Sequence, residues 1–449
     1  MAMMEAAILF SSVYVAGLVV LGSVAECDRL LGPLAPKAML VAAVALVSLT
    51  TMGLYQFHQR LYFSEAVVRV MVGLALACLG LAILFYAYPP LLITRDVATV
   101  AIGYALVLVL GVRYFFVKTV DENIFRRRTM VYGAGETASS IHSIRRRADR
   151  RGFKLVGSVA AKGDTVVMQE KLVEPNGRSI TDIAHEIGAE EIVVAMDDRR
   201  GNLPIRELLD ARLQGIDVID ILEFLERETG KIRVDLVRPG WLIFSPGFRF
   251  SKIRRFAKRT LDIAVSVALL AVSWPIMLLV VLAIKIEDGP SASILYRQRR
   301  VGRGNQAFNV LKFRSMRENA EADGKAVWAQ KDDDRITRVG HVLRNVRLDE
   351  LPQVFNVLAN QMSIVGPRPE RPEFVSDLEE KIPYYSERHV VKPGVTGWAQ
   401  LKYSYGASEE DALEKLQYDL YYVKNQSLIL DIIIILQTVE VVLWGKGAR

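Results

Sequence analysis

RNVRLDELPQ, residues 344–353, sets two adjacent carboxylates, Asp349 and Glu350, among arginines and just before a proline. Apolar residues around this stretch recur near a period of 3.6 residues, which predicts a helix; they are Leu343, Leu348, Leu351, Phe355 and Leu358. Pro352 lacks an N–H, and its ring clashes with the carbonyl four residues earlier, so we expect the helix to bend within one turn of the carboxylates.

The paired carboxylates predict a reactive site. Neighbouring carboxylates repel, and nearby basic side chains hold one of them ionised, which suits it to attack phosphorus or to bind a divalent cation. The alternative is a solvated, charged helix face, the usual interpretation of an isolated Asp-Glu pair. The stretches around the pair decide between the two interpretations.

Several further motifs accompany the pair in order, and together they resemble the bacterial sugar transferases. These enzymes move a sugar-1-phosphate from a nucleotide sugar to a polyprenyl phosphate. The resemblance is to the long form of the monotopic phosphoglycosyl transferases and covers roughly residues 254–449. The motifs are Lys312-Phe313-Arg314-Ser315-Met316, Asn356-Val357-Leu358, the segment 362–370 and the segment 392–400.

The resemblance implies a chemistry for the pair. Asp349 is the expected nucleophile on a UDP-sugar; it forms a phosphosugar-aspartyl intermediate, releases UMP and passes the phosphosugar to undecaprenyl phosphate. Both Asp349 and Glu350 are expected metal ligands, because Mg²⁺ takes one or two carboxylates together with phosphate oxygens. Glu350 binds or orients the metal, or accepts the acceptor's proton. The step would open exopolysaccharide or glycoconjugate synthesis at the membrane.

A diphosphate donor also needs cations, and arginine suits bidentate phosphate contacts. Lys312, Arg314, Arg344 and Arg368 are the predicted phosphate-binding residues. For any one arginine, contact with a lipid headgroup is the competing interpretation. Asp419 lies in a stretch that matches a family motif, so the resemblance implies that it shapes the nucleotide pocket.

Composition narrows the class of protein. The chain has 449 residues, 51% hydrophobic content, a net charge of +7 and a pI near 9.2. This balance fits a nucleic-acid binder, an anionic membrane surface or a phosphorylated substrate. No zinc-finger spacing or RNA-binding aromatic signature is present, so we expect no nucleic-acid partner. Two cysteines and five scattered histidines predict neither disulfides nor a histidine metal cluster.

Four apolar runs open the sequence, each close to the ~20 residues that cross a bilayer; they are Ala6–Val24, Ala38–Tyr55, Val67–Tyr88 and Val97–Val117. The first has no preceding Lys or Arg and no cleavage site, so it is predicted to be a retained helix. Arginines cluster after the fourth run, which predicts that the chain beyond residue 118 is cytoplasmic. We therefore expect a multi-pass protein of the bacterial inner membrane.

Residues 121–250 are predicted to form a Rossmann-like α/β domain followed by a linker over 237–250. Short apolar stretches alternate with amphipathic ones, as in a parallel sheet; they are Met130–Tyr132, Leu155–Gly157, Ile192–Ala195 and Val218–Ile219. The turn Gly133-Ala134-Gly135 before a helix could bind a phosphate through backbone N–H groups. No acidic residue follows in 159–162 for a ribose, so redox function is not expected.

The apolar run Ile263–Ile284 predicts a re-entrant membrane helix. Basic residues flank it on both sides, and a full crossing would put one cluster outside the cell. Pro275 near its middle permits a sharp bend, and each arm of about eleven residues reaches only ~16 Å, half the hydrocarbon core. Ser273 is the candidate partner for backbone groups freed at the bend. The resemblance implies the same geometry with Ser-Pro, and here the serine is displaced by one position.

Two other acidic regions have weaker interpretations. Asp332-Asp333-Asp334 could be a D-x-D metal motif, but a solvated loop is the favoured interpretation. The resemblance includes the following Arg335-Ile336-Thr337, which favours a structural or substrate-facing loop. Leu428–Trp444 is apolar but carries Asp431, Gln437 and Glu440, which predicts an interfacial amphipathic helix.

The expected architecture is a membrane protein in three parts: four transmembrane helices over 1–120, the Rossmann-like domain and linker over 121–250, and a mainly α catalytic domain with a re-entrant helix over 251–449. A homodimer is left open. Two other classes remain: a membrane-anchored nucleotide-sugar dehydratase or epimerase, and a non-catalytic nucleotide-sensing scaffold. The dehydratase needs a Tyr-x-x-x-Lys pair, and this spacing occurs only at Tyr114 and Lys118, at the end of a membrane run.

Overall fold

The computed structural model describes residues 1–52, 54–55, 63–119, 126–142, 144, 149–150, 152–168, 170–199, 202–237, 239–245, 247–248, 251–317, 335–403, 406 and 408–444. The chain divides into two compact units, Met1–Ile219 and Asp220–Arg449. The division into three domains stays a prediction. The acidic stretch 332–334 lies outside the described residues.

The first unit begins with five helices: α1 (Ala2–Leu21), α2 (Val24–Leu31), α3 (Leu34–Thr51), α4 (Phe63–Ala87) and α5 (Arg95–Thr119). Each of the four predicted apolar runs forms a helix. Three of these helices are long and apolar enough to cross a membrane, whereas α3 is shorter, at 18 residues. The sequence analysis missed α2, a short helix that begins where the Ser23 hydroxyl accepts the N–H of Glu26.

Charged groups inside this helical bundle are paired. Glu5 of α1 is fully buried and lies 2.7 Å from Arg113 of α5. Arg69 of α4 is also buried, and it donates to the carbonyl of Met52. Large apolar side chains such as Val107 point outward instead. This inside-out distribution is typical of a bundle in lipid, where ionisable groups face the protein interior.

A four-stranded sheet follows, formed by β1 (Arg127–Tyr132), β2 (Phe153–Val159), β3 (Glu191–Val194) and β4 (Asp217–Asp220) in the order β2-β1-β3-β4. The central strand β1 runs parallel to both β2 and β3. Three helices connect the strands: α6 (Glu136–Ser139), α7 (Ile180–Glu186) and α8 (Ile205–Leu213). All four predicted strands are present, and the parallel α/β arrangement is confirmed.

The second unit is mainly helical. Its helices are α9 (Ile221–Thr229), α10 (Pro239–Phe244), α11 (Lys252–Asp288), α12 (Arg338–Asn345), α13 (Gln353–Leu358), α14 (Pro372–Lys381), α15 (Trp398–Lys402), α16 (Glu409–Asn425) and α17 (Leu428–Trp444). Two small sheets complete it. The antiparallel hairpin pairs β5 (Leu295–Val301) with β6 (Ala307–Phe313), and β7 (Ser363–Val365) runs parallel to β8 (Gly394–Thr396).

The predicted linker is in part a helix. Residues 239–244 form α10, and Trp241 of this helix packs against a core that includes Ile232 and Leu416. The ammonium of Lys424 lies 4.3 Å from the centre of the Trp241 ring. The Pro-Gly pairs predicted a linker, but an apolar aromatic side chain between them favours packing over exposure.

Helix α11 is a single continuous element of 37 residues with Pro275 inside it. Its first turns are attached to the unit by Lys258 and Arg259, and its last residues by Glu287 and Asp288. The apolar middle is largely exposed, and only 17% of its most apolar window is buried. A membrane-associated role fits this surface, while the re-entrant path stays a prediction.

Helix α17 has the predicted bounds, and one of its three predicted polar residues, Asp431, is buried. Asp431 pairs with Lys258 at 2.8 Å and accepts a hydrogen bond from Tyr422 at 2.7 Å. The hydroxyl of Thr438 bonds to that of Thr396. These contacts attach α17 to the unit, so Asp431 does not belong to a solvent-exposed polar face; the interfacial position of the helix stays a prediction.

Candidate active site

The expected single helix through the carboxylate pair is wrong. Helix α12 ends at Asn345, and Arg347 then adopts a left-handed conformation with φ of 56°. A short 3₁₀ turn follows over Leu348–Glu350, and Pro352 directly precedes α13. Proline is tolerated where a helix starts because no N–H is required there, whereas a left-handed arginine costs on the order of 1 kcal/mol. The break therefore lies before the carboxylates, not after them.

Glu350 is held by two cations. Its Oε1 accepts a hydrogen bond from the Lys312 ammonium at 2.8 Å and from the Arg368 guanidinium at 3.1 Å. Burial alone would raise the pKa of this carboxyl, but the two cations outweigh it and hold the pKa of Glu350 well below its usual range. Glu350 is therefore ionised throughout the physiological range.

Asp349 is in a different environment. Only 9% of the residue is exposed, and burial raises its pKa above the usual value. Lys312, Arg344 and Arg368 oppose this effect, and the charge of Glu350 adds to it. The two adjacent carboxyls thus have pKa values shifted in opposite directions, which is typical of groups with separate catalytic roles.

An open cleft lies against Glu350. The lining residues are Arg300, Val310, Lys312, Glu350, Gln353, Arg368, Pro369 and Gly394. Five residues were predicted to bind phosphate or nucleotide, and the fold brings two of them, Lys312 and Arg368, together at this cleft.

The sequence analysis assigned no role to Gln353, although this residue lines the cleft. It is 4% exposed, and its carboxamide makes no hydrogen bond to any residue that the structure describes. It follows Glu350 by three residues, a spacing that places both on one side of a helical turn. That spacing is the signal that could have identified it. Gln353 is also the one uncharged polar side chain among the described residues that line the cleft.

The segment Gly366–Glu370 positions Arg368. Prolines at 367 and 369 remove two backbone donors and fix φ. The carbonyl of Pro367 accepts from the Gly394 N–H, and the carbonyl of Pro369 accepts from the Arg300 guanidinium. The segment is thus an extended piece of chain whose path is set by donors from elsewhere in the unit.

The remaining predicted substrate residues lie away from the cleft. Arg344 lies on α12, close enough to lower the pKa of Asp349. Arg314 is buried and pairs with Asp288 at 2.7 Å, so it attaches the end of α11 to β6. Asp419 is buried on α16, 2.7 Å from Arg388. Contacts of Arg314, Arg344 and Asp419 with a substrate stay predictions.

In the first unit, carboxylates occupy the glycine turn after β1. The N–H groups of Glu136 and Thr137 donate to Asp197 at 3.1 and 2.8 Å. The N–H of Ala134 donates to Asp164 at 2.9 Å. A phosphate would need these same donors and would meet two negative charges. The arrangement gives no support to the predicted phosphate contact at this turn.

The donor set at 349–350 fits a divalent cation that also binds a diphosphate. Mg²⁺ commonly takes one or two protein carboxylates and completes its shell with phosphate oxygens and water. Both described contacts of Glu350 use Oε1, so Oε2 can take another ligand. The described residues contain no group of three or more His, Cys, Asp or Glu side chains suited to a metal ion. A cation here would therefore depend on the substrate for most of its ligands.

Residues 253–445 match the sequence profile of a family described as bacterial sugar transferase. The chain is 43% identical over 248 residues to the UDP-N-acetylgalactosamine-undecaprenyl-phosphate N-acetylgalactosaminephosphotransferase of Aeromonas hydrophila; the match covers 54% of this chain and 56% of that protein. It is 32% identical over 331 residues to the undecaprenyl-phosphate glucose phosphotransferase of Komagataeibacter xylinus, covering 72% and 60%.

A third relative is shorter. The exopolysaccharide production protein PSS of Rhizobium leguminosarum bv. phaseoli is 41% identical over 197 residues, which are 42% of this chain and 97% of that protein. The first two matches span little more than half of those relatives' own length. The two transferases are named for different sugars, an N-acetylated galactosamine and glucose.

Proposed function

This chain belongs to the bacterial sugar transferase family, and from that premise we propose that it transfers a hexose-1-phosphate from a UDP-sugar to undecaprenyl phosphate and releases UMP. The observation that carries the proposal is the pair of adjacent carboxyls with opposite pKa shifts beside a cleft lined by three cationic side chains. Relatives named for this reaction support the substrate class, and their different sugars leave the sugar itself unassigned.

The proposed reaction has two displacements. A carboxylate oxygen of Asp349 attacks the sugar-bearing phosphorus, the bond from this phosphorus to the bridging oxygen breaks, and UMP leaves with the electron pair. A phosphate oxygen of the polyprenyl acceptor then attacks the same phosphorus and releases the Asp349 carboxylate. Lys312 and Arg368 face the cleft and offset the charge on the phosphate oxygens in both steps.

We further propose that Asp349 and Glu350 hold Mg²⁺ together with the donor's diphosphate. When bound, the ion would neutralise charge that develops on the phosphate oxygens and the leaving UMP. Glu350 suits this task because its low pKa keeps it ionised. Its contacts with Lys312 and Arg368 also fix the direction of the carboxylate, so the loss of either cation would misalign it.

The contacts of α11 support a re-entrant path. A straight helix would separate Arg259 from Ile284 by about 38 Å at 1.5 Å per residue. Yet Arg259 donates to the carbonyl of Val357 at 2.7 Å, and Ile284 belongs to an apolar cluster against which Leu351, six residues before Val357, packs. The two ends of α11 thus reach neighbouring parts of one unit, as a bent helix would.

The buried residues of α11 support the same path. They are Asp262, Ser266, Ser273, Val280 and Ile284, a set symmetric about Ser273 with spacings of four, seven, seven and four residues. Such a stripe would form the concave side of a bend at Ser273 and Pro275. Exposed Val272, Trp274 and Leu278 would then face lipid. The catalytic unit would lie on the cytoplasmic side of the inner membrane, where UDP-sugars are available; a homodimer stays a prediction.

Trapping the intermediate tests the proposal. The purified protein in detergent is incubated with UDP-sugars labelled at the β-phosphorus, with Mg²⁺ and without acceptor. We expect the label on wild-type protein and its release to undecaprenyl phosphate on addition of that lipid. Asp349→Asn should abolish labelling and reduce UMP release more than about 1,000-fold, whereas Asp377→Asn, on the exposed face of α14, should label normally. Labelled Asp349→Asn protein would contradict the assignment of the nucleophile.

A further inference from the structure

The segment Gly366–Glu370 is held almost entirely by side chains and strands outside it. Four successive carbonyls, those of residues 367–370, each accept a hydrogen bond from another part of the second unit. Three of these donors come from the strand β8 or the hairpin strand β5: the Gly394 N–H, the Arg300 guanidinium and the Val301 N–H. The fourth carbonyl, that of Arg368 itself, accepts from Arg388 at 3.0 Å.

Arg388 approaches this carbonyl from inside the protein. It is 4% exposed, and its guanidinium lies 2.7 Å from the Asp419 carboxylate and donates to the Tyr385 hydroxyl at 2.8 Å. None of these residues lines the cleft. A continuous set of contacts therefore runs from Asp419 through Arg388 to the backbone of Arg368, and from the side chain of Arg368 to Glu350.

We propose that the buried pair of Arg388 and Asp419 is a positioning device that fixes the backbone of Arg368 and thereby aims its guanidinium at Glu350 and the donor phosphates. Neither residue touches the substrate. The inference rests on the proposed function, and it replaces the expected contact of Asp419 with the nucleotide.

Physical chemistry favours a positioning role over simple stabilisation. Burying an ion pair costs desolvation that the attraction barely offsets, and well-packed apolar residues often stabilise a core equally well. A buried guanidinium, however, offers several donors in a fixed plane, and here one of them reaches the backbone carbonyl of the cleft residue Arg368. The Asp419 carboxylate neutralises the Arg388 charge and so lowers the free-energy cost of burying this guanidinium in the core.

A double-mutant cycle tests the proposal. Arg388→Met with Asp419→Leu removes both charges at once, so that no buried charge is left unpaired and folding is retained. We expect kcat/KM for the UDP-sugar to fall about 10–100-fold. A variant that carries both this replacement and Arg368→Ala should lose as much kcat/KM as Arg368→Ala alone, to within about threefold. The reason is that both changes remove the same contact with Glu350.

The control is a second buried pair, Lys424 and Glu226, whose side chains are 7% and 10% exposed and do not line the cleft. Lys424→Met with Glu226→Leu should leave kcat/KM within about threefold of wild type. If instead the losses from the Arg388–Asp419 replacement and from Arg368→Ala multiply, the pair acts independently of Arg368 and the proposal is overturned.

Hydrogen exchange separates this inference from the proposed function. The Arg388–Asp419 replacement should speed exchange of the Gly394 and Val301 amides, which donate to the carbonyls of Pro367 and Glu370, and the Lys424–Glu226 replacement should not. Unchanged exchange there would overturn the positioning role whatever the enzyme's activity. The replacement could instead show faster exchange while the wild-type protein releases UMP from no UDP-sugar. That result would support the positioning role and contradict the proposed reaction.

Discussion

Two regions of this protein place carboxylates beside hydrogen-bond donors, and they differ in the kind of donor. At the glycine turn of the first unit, Asp197 and Asp164 accept from backbone N–H groups of the same turn. At the 3₁₀ turn of the second unit, Glu350 accepts from Lys312 and Arg368, two long side chains that also line a cleft.

The difference separates a closed site from an open one. Backbone N–H groups are fixed by the fold, and the two carboxylates already occupy three of the donors of the glycine turn, those of Ala134, Glu136 and Thr137. Lysine and arginine side chains carry several donors each and can bind a carboxylate and a phosphate together. The comparison implies that chemistry belongs to the second region and stability to the first.

Among the changes that compare these two regions, the largest effect is expected from Glu350→Gln. The amide keeps the shape of the side chain but removes the charge between Lys312 and Arg368 and, with it, a proposed ligand for Mg²⁺. Turnover should fall about 100–10,000-fold, as for loss of an acid–base or metal-binding group, and the remaining activity should respond weakly to Mg²⁺ concentration.

Glu414→Gln is the matched control, because Glu414 forms a Lys–Glu contact of the same 2.8 Å length with Lys231. Turnover in this variant should remain near wild type. Full Mg²⁺-dependent activity in Glu350→Gln would contradict the assignment of chemistry to the region around Glu350.

A smaller effect is expected from Lys312→Met on the pH profile. Burial raises the pKa of Asp349, and the Lys312 charge opposes that rise. The protonated carboxyl cannot attack phosphorus, so kcat/KM should fall as pH decreases through this pKa. Without Lys312 the acidic limb should move to higher pH, by on the order of one unit.

The profile of kcat/KM against pH for wild type and Lys312→Met measures this shift. Lys402→Met serves as the control, since Lys402 packs over the Trp398 ring, and neither of these residues lines the cleft. If the acidic limb stays in place or moves to lower pH, the Lys312 charge does not lower the pKa of Asp349 and the prediction is wrong.

The smallest effect on activity is expected at the glycine turn. Asp197→Asn weakens two hydrogen bonds to a charged acceptor, so the free energy of unfolding should fall by about 1–3 kcal/mol. UMP release should change less than twofold. Thermal unfolding and the transfer assay measure the two quantities, with the exposed Asp210→Asn as control. A large loss of transfer with unchanged stability would reverse the roles of the two regions.

Local patterns predicted much of the fold. The apolar runs predicted the four N-terminal helices of α1 and α3–α5, and alternating short strands predicted the parallel sheet, because hydrophobic periodicity reports burial directly. The same reasoning failed around Asp349, where a helical period continued across a break. The break depends on the left-handed Arg347, a conformation that is unfavourable for a residue with a Cβ atom and persists where the surrounding structure holds it.

For the site, the sequence by itself predicted the carboxylate pair and two of the cations beside it and identified the family, since these follow from residue types in order. Only the tertiary structure decided which arginines serve the cleft. Arg314, Arg368 and Arg388 look alike in sequence, yet the first pairs with Asp288, the second reaches Glu350, and the third supports the second from within the core. A guanidinium has the same donors everywhere, so its role is set by the acceptors that folding brings to it.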